Sequence, residues 1–383
     1  MKPLRICYFS PVFLPDVGGA EYVTAELARG FHHAGHHVHV LTRGKPVPLN
    51  EPYRVTWYPK MRWPHWRPER VIKHLRQLHA QEAFDVFLVN YGRPTGIAAV
   101  RLSAQTGIPT VLVSHGGDLY RDGEDRRRPH VFARTQEAYQ RADTCVAISP
   151  YLRTLIQEIR GDTLPTADIP NGIHADPFTQ PATQPTQRPE SLPKNMALTT
   201  PFALCLGNLT RYKGFDDAIK AFAQRGPAAQ HLHLHVVGTG EMKTQLNALV
   251  AQHKIKDRVH FWGRLTGNDK HWLMQHCQFG LMPSTEEGHP IVGLELLAAG
   301  RPLICSTNGA FDALVEHGVN GWRVPARDVD SLAQAITHAA QLTHTQSKSM
   351  SVACQTKVKT FAWPHIVQRY LDLLQQVVSK STS

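Results

Sequence analysis

Two series of short apolar runs, each followed by a Gly- or Pro-bearing loop and then by helical apolar spacing, constrain this chain more than any other feature. In the first series LRICYF (4–9) leads through SPVFLPDVGG into a stretch where Tyr22, Val23, Leu27 and Phe31 share one helical face. Gly35 closes that helix and HHVHVLT follows as the next strand. The same order recurs at 84–90, 95–106, 110–114, 130–141 and 144–149, and Ser149-Pro150 opens a further helix as N-cap and first-turn proline. Alternation of this kind makes parallel α/β sheets.

The second series begins at 202–209 and continues through 233–238, 258–263, 278–284 and 301–307. Between the two, residues 176–201 are rich in Pro, Thr and Gln and carry no apolar period, the composition of a linker. The expected division is a Rossmann-like domain over 1–175, a linker over 176–201, a second Rossmann-like domain over 202–360, and an amphipathic helix over 361–383 that crosses back onto the first domain.

At 383 residues the chain is long enough for two cores, and 42% hydrophobic residues are enough to fill them. A formal net charge of +11 points to anionic partners without choosing among nucleic acid, phosphorylated small molecules and an acidic membrane. Six isolated cysteines form neither a CxxC pair nor a zinc-finger spacing and read as reduced core thiols. His32, His33, His36, His37 and His39 crowd one segment with no acidic or cysteine ligand at a recognisable spacing, so no metal site is expected there. No run approaches the roughly 18 apolar residues of a membrane span.

In doubly wound sheets, ligands bind beyond the carboxyl ends of strands, so the loops after strands carry the chemistry. With two such domains the expected site is the cleft they face. Gly18 and Gly19 precede a helix, where their amides suit an anionic group. His115 and Asp118 bracket two glycines after 110–114, and Arg211 and Lys213 sit in RYKG after 202–207. A guanidinium fork beside a compact ammonium suits a diphosphate, although a solvated pair is the plainer reading. In EEGHPIVGLELLAAG, Glu287 and Glu295 flank seven residues, and a helix is expected to open near Pro290 and end at Gly300. Free amides at the helix start suit phosphate, and Glu295 suits a ribose diol, since an ionised carboxylate offers two acceptor oxygens.

Six segments in order then resemble the family-4 glycosyltransferases of the GT-B fold, a retaining family. They are PDVGGAEYVTAELARGFHHAGHHVHVLT, IPNGIHADPF, LGNLTRYKGFDDAIKAFA, VVGTGE, VHFWGRL and EGHPIVGLE, the last matching an E–x7–E motif. The resemblance covers nearly the whole chain and implies an α/β GT-B fold of two Rossmann-like domains facing across a cleft. It implies catalytic roles for His115, Arg211, Lys213 and Glu287. It implies nucleotide-sugar contacts from Gly18, Gly19, Asp118, Gly288, His289, Pro290, Ile291, Val292 and Glu295, with Pro290 unable to offer an amide. Gly288-His289-Pro290 departs from the GFG of many relatives, and Ala313 stands where many carry Glu.

The activity implied is transfer of a sugar from a nucleoside diphosphate sugar to a glycan or lipid-linked hydroxyl, in surface polysaccharide or lipopolysaccharide synthesis, by a cytoplasmic or peripheral membrane enzyme. Another GT-B activity (an epimerase or a phosphorylase) and a basic nucleic-acid-binding protein are the alternatives, and no nucleic-acid partner is expected. No cofactor and no metal are expected: the one DxD, Asp328-Val329-Asp330, reads as a helix start with Asp330 as cap. The basic, aromatic stretch 53–80, with Arg62, Arg67, Arg70, Lys73 and Arg76 among Trp57, Tyr58, Trp63 and Trp66, suits either packing on the first domain or an anionic membrane surface.

Overall fold

The computed structural model describes residues 2–16, 18–60, 68–179 and 200–381. The chain divides into two compact units, 1–172 with 363–383, and 173–362. The boundary thus falls a few residues from each expected one, at Gly172–Ile173 and at Ala362–Trp363. The expected linker lies mostly outside the described residues, as do Arg62, Trp63, Trp66 and Arg67.

The first unit holds strands β1 (Arg5–Ser10), β2 (His37–Arg43), β3 (Arg54–Tyr58), β4 (Val86–Asn90), β5 (Thr110–Ser114), β6 (Thr144–Ala147) and β7 (Thr166–Asp168). They form one parallel sheet in the order β3-β2-β1-β4-β5-β6-β7. Every residue of β4 and β5 is buried, as expected of strands covered on both faces. Helix α1 (Gly19–His33) buries Val23, Leu27 and Phe31. Ser149 does cap its helix, accepting from the Leu152 amide at 3.3 Å.

The last helix, Trp363–Ser381, belongs to this first unit and buries Ile366, Tyr370 and Leu374. Tyr370 meets Phe31 edge-on at 6.2 Å, and the Trp363 indole donates to the Tyr22 hydroxyl at 3.2 Å. The two ends of the sequence therefore share one core.

The second unit holds β8 (Phe202–Leu206), β9 (His233–Val237), β10 (Val259–Phe261), β11 (Phe279–Met282), β12 (Leu303–Ser306) and β13 (Gly321–Val324). The sheet is parallel in the order β10-β9-β8-β11-β12-β13, and one of its faces packs Ala203, Cys205, Val236 and Leu281 on Ile219, Phe222 and Ile336. All six cysteines are free and buried. In each sheet the strand order reverses once, between β1 and β4 and between β8 and β11. Those two points are where doubly wound folds open a crevice at their strand ends.

Candidate functional site

The first reversal point is organised by Asn90, the last residue of β4, which is wholly buried. Its amide nitrogen lies 3.1 Å from the Ser10 hydroxyl and 2.8 Å from that of Thr24. Both hydroxyls already donate, to the carbonyls of Val12 and Ala20, so both must accept from Asn90. That fixes the amide, and its carbonyl oxygen faces His115 Nε2 at 3.0 Å. A carbonyl oxygen only accepts, so Nε2 carries the proton and Nδ1 keeps the lone pair. Burial lowers the His115 pKa to about 4, so the ring is neutral at pH 7.

Asp118 plays a different part. It is buried, and one oxygen accepts from the Gly92 amide at 2.6 Å and from the Tyr139 hydroxyl at 3.1 Å. Burial raises its pKa to about 6. The carboxylate fastens the loop after β4 to a neighbouring helix and to the His115 loop. A pocket of about 450 Å³ opens beside it, lined by Arg43, Tyr91, Arg93, Asp125 and Arg128 among others. Arg93 pairs with Asp125 at 2.5 Å and Arg128 with Glu124 at 2.7 Å. Tyr91, between β4 and this loop, holds φ at +65°, a conformation uncommon outside glycine.

Gly18 is the N-cap of α1 and Gly19 its first residue. A Cβ on Gly18 would lie 2.3 Å from a carboxylate oxygen of Glu21. An acidic side chain thus already folds back over the positive end of this helix, and burial raises its pKa.

The second reversal point joins the loops after β8 and β11. Arg211–Lys213 form a single turn of 3₁₀ helix, and Gly214 then turns left-handed at φ +67° into the helix Phe215–Gln224. A Cβ on Gly214 would meet the Pro283 carbonyl oxygen at 2.1 Å, so this glycine lets the two loops touch. The Thr285 amide donates to the Tyr212 carbonyl at 2.8 Å. Lys213 Nζ stands 2.5 Å from Glu287 Oε2, with both side chains largely buried. Arg211 is exposed and has no ion-pair partner among the described residues.

The helix after Glu287 runs Ile291–Ala298 with Pro290 as N-cap. Gly300, left-handed at φ +72°, ends it, with Arg301 N–H reaching the Leu296 carbonyl at 2.9 Å and Gly300 N–H the Leu297 carbonyl at 3.0 Å. Gly293 and Leu294 N–H both turn to the Pro290 carbonyl. The Ile291 and Val292 amides precede any helical acceptor and form the positive end of the dipole. Gly288, His289 and Pro290 are buried, and the His289 ring packs near Phe361 at 5.4 Å with its pKa lowered by burial to about 3.

Glu295 Oε1 accepts from Lys270 Nζ at 2.6 Å, while Oε2 is buried without a hydrogen bond. Burial raises the Glu295 pKa and Lys270 opposes that rise. One carboxylate oxygen is therefore committed to Lys270 and one is unmet.

The second unit thus brings Arg211, Lys213, Glu287, Ile291, Val292 and Glu295 onto two neighbouring loops and one helix, and the first brings His115 and Asp118 onto one loop. Asn90 and Lys270 were not singled out from sequence. Asn90 closes an apolar strand, and Lys270 lies in a helix with no motif around it. One expectation is corrected. The helix Val329–Ala340 is capped by Asp328, which accepts from the Ser331 amide at 2.9 Å, because the helix begins two residues earlier than expected from Asp330. Tyr58 is buried against Phe9, which agrees with packing on the first domain, one of the two readings given for that stretch.

Residues 17–177 match the model of the family described as Glycosyltransferase Family 4, and residues 187–351 that of Glycosyl transferases group 1. A Salmonella typhimurium glycosyltransferase named for colanic acid biosynthesis, WcaL, is 22% identical over 77% of this chain and 71% of its own. The N-acetyl-alpha-D-glucosaminyl L-malate synthase of Bacillus anthracis is 26% identical over 84% of each chain. Among solved structures, a sucrose-phosphate synthase from Thermosynechococcus elongatus superposes with a TM-score of 0.82 at 20% identity, covering 98% of this chain and 100% of its own. Anabaena HepE, solved with UDP and glucose, gives 0.78 at 18% identity, covering 97% and 100%. The doubly wound sheets and the two family matches agree, and the chain belongs to the family-4-type glycosyltransferases of the GT-B fold.

Proposed function

We propose that the enzyme transfers a sugar, with retention of anomeric configuration and without a divalent metal, from a nucleoside diphosphate sugar to a hydroxyl of a glycan or lipid-linked acceptor. The observation that carries this reading is the Lys213–Glu287 pair at the reversal point of the second sheet, flanked by Arg211 and by the N-terminus of the helix Ile291–Ala298. Two cations and a helix dipole offset the charge of a departing diphosphate. The unmet oxygen of Glu295 accepts from the nucleotide ribose.

The sugar–phosphate bond breaks as the acceptor oxygen bonds to the same face of the sugar carbon, and the acceptor proton passes to the leaving phosphate oxygen. No protein carboxylate is assigned as nucleophile: Asp118 is engaged by Gly92 and Tyr139, and Glu287 by Lys213. His115, neutral and with Nδ1 open, positions a hydroxyl by accepting its hydrogen bond. HepE, solved with UDP-glucose, and WcaL, named for colanic acid biosynthesis, support a nucleotide-sugar donor and a role in surface polysaccharide synthesis.

No helix among the described residues is long and apolar enough to cross a membrane. Helix Pro68–Glu82 buries Val71, Ile72, Leu75 and Leu78 and exposes Arg70, Lys73 and Arg76, a face suited to anionic lipid beside a lipid-linked acceptor. The test of the central reaction is the anomeric coupling in the proton NMR spectrum of the product formed on a panel of alkyl glycoside acceptors. The donor's configuration is expected, and the opposite one overturns the retaining assignment.

A further inference from the structure

We propose that His233, His235 and His260 form a three-imidazole site for a divalent transition-metal ion of the Zn²⁺ type, which ties the edge of the second sheet together. β10 is the edge strand and pairs with β9, with His260 in register with His235. Side chains two apart on a strand share a face, so His233, His235 and His260 all rise from one side of the sheet. One nitrogen of each ring lies within 4.8 Å of the other two. His233 Nδ1 and His260 Nε2 are already 2.9 Å apart.

The second observation is His235 itself. It is 0% exposed, stacks on Phe202 at 4.4 Å, and has no hydrogen bond to either ring nitrogen. A buried polar group left unmet destabilises the fold. A metal–nitrogen bond removes that cost, and imidazole is the preferred neutral ligand for zinc, copper and nickel. A neutral imidazole keeps a lone pair on one ring nitrogen, the form that binds a metal ion.

Between His233 and His260 one ring now donates its N–H to the other. When metal binds, that proton moves to the donor ring's second nitrogen, so the tautomer changes and no proton is lost overall. His233 is the first residue of β9. The cluster thus starts from the end of the strands opposite the loops that follow β8 and β11, and the metal is structural. Its presence is independent of the donor reading and compatible with metal-free sugar transfer.

The experiment uses full-length, tag-free protein, treated with chelator, dialysed and titrated with Co²⁺ and then Zn²⁺. Wild type is expected to take up one equivalent of Co²⁺ with visible ligand-field absorption, to lose that absorption to Zn²⁺, and to melt at a higher temperature with Zn²⁺ than without. His235→Phe, an apolar ring of similar size beside Phe202, and His260→Gln, at the half-buried edge, are expected to abolish both effects. His235→Phe should melt no lower than metal-free wild type, because it removes an unmet polar group. Absence of stoichiometric binding by wild type, or unchanged binding by either variant, overturns the proposal.

Discussion

Lys213 Nζ lies 2.5 Å from Glu287 Oε2, joining the loops that follow β8 and β11. The pair has two roles that substitution can separate. As structure, it is a largely buried ion pair, and removing one partner strands the other charge. In the proposed reaction, the ammonium is offered to the diphosphate.

Lys213→Ala is expected to lower turnover on the order of 10²–10³, the usual cost of removing one preorganised charged donor. Lys213→Met with Glu287→Gln should recover most of the lost stability and none of the lost turnover, since the stranded charge is gone but the cation is still missing. Melting temperature and steady-state kinetics on wild type and these two variants decide the matter. A double variant with restored activity would reduce the pair to a structural contact.

Arg211→Ala is expected to cut turnover by a similar factor at unchanged melting temperature, because Arg211 is exposed with no ion-pair partner among the described residues. Near-normal kinetics in the soluble variant would remove Arg211 from the phosphate site.

His115 makes the stability of the fold depend on pH. Its folded pKa, about 4, lies below the 6.5 of the unfolded chain. The unfolded state therefore binds more protons between those values, and stability falls as pH drops from 6.5 toward 4. His115→Gln should lose up to one proton's worth of that slope in urea melts across the window. Asn90→Asp places a carboxylate against Nε2–H and should raise the His115 pKa, read by NMR titration of the ring. A ring that titrates unchanged in this variant would contradict the assigned hydrogen bond.

Much of this was legible in advance because it is local. Strand runs, the glycines of RYKG and AAGR, and the proline that starts a helix all act within a few residues of themselves. The loops proposed to hold phosphate could be named because parallel α/β sheets put ligands at strand ends. What escaped was tertiary. Asn90 matters through hydroxyls at positions 10 and 24, and Lys270 through a carboxylate 25 residues on. Nothing in the neighbouring sequence marks either one. The cap at Asp328 was misplaced by two residues because Asp328 and Asp330 offer the same chemistry, and only the path of the backbone chooses between them.

That choice has its own check. Asp328→Ala should lower the melting temperature of the protein, and Asp330→Ala should leave it closer to wild type, since only Asp328 accepts from the Ser331 amide and hydroxyl. Equal losses would mean that general helix-dipole effects outweigh the cap.

The exposed bases of helix Pro68–Glu82 predict salt-sensitive binding to anionic vesicles. Replacing Arg70, Lys73 and Arg76 with Ser should reduce co-sedimentation at low salt and leave the little that persists at high salt unchanged. Equal sedimentation of variant and wild type would detach this helix from any membrane role.

The most direct test of the central claim is thermal-shift titration of wild type and Lys213→Ala against UDP-, GDP- and ADP-sugars in the presence of EDTA. A ligand that binds only the folded state raises its melting temperature with concentration. At least one nucleotide sugar is expected to stabilise wild type in a saturable way without metal, and Lys213→Ala to need a much higher concentration for the same shift. No stabilisation by any of the donors, or stabilisation that appears only with Mg²⁺ or Mn²⁺ and is indifferent to Lys213, would contradict it.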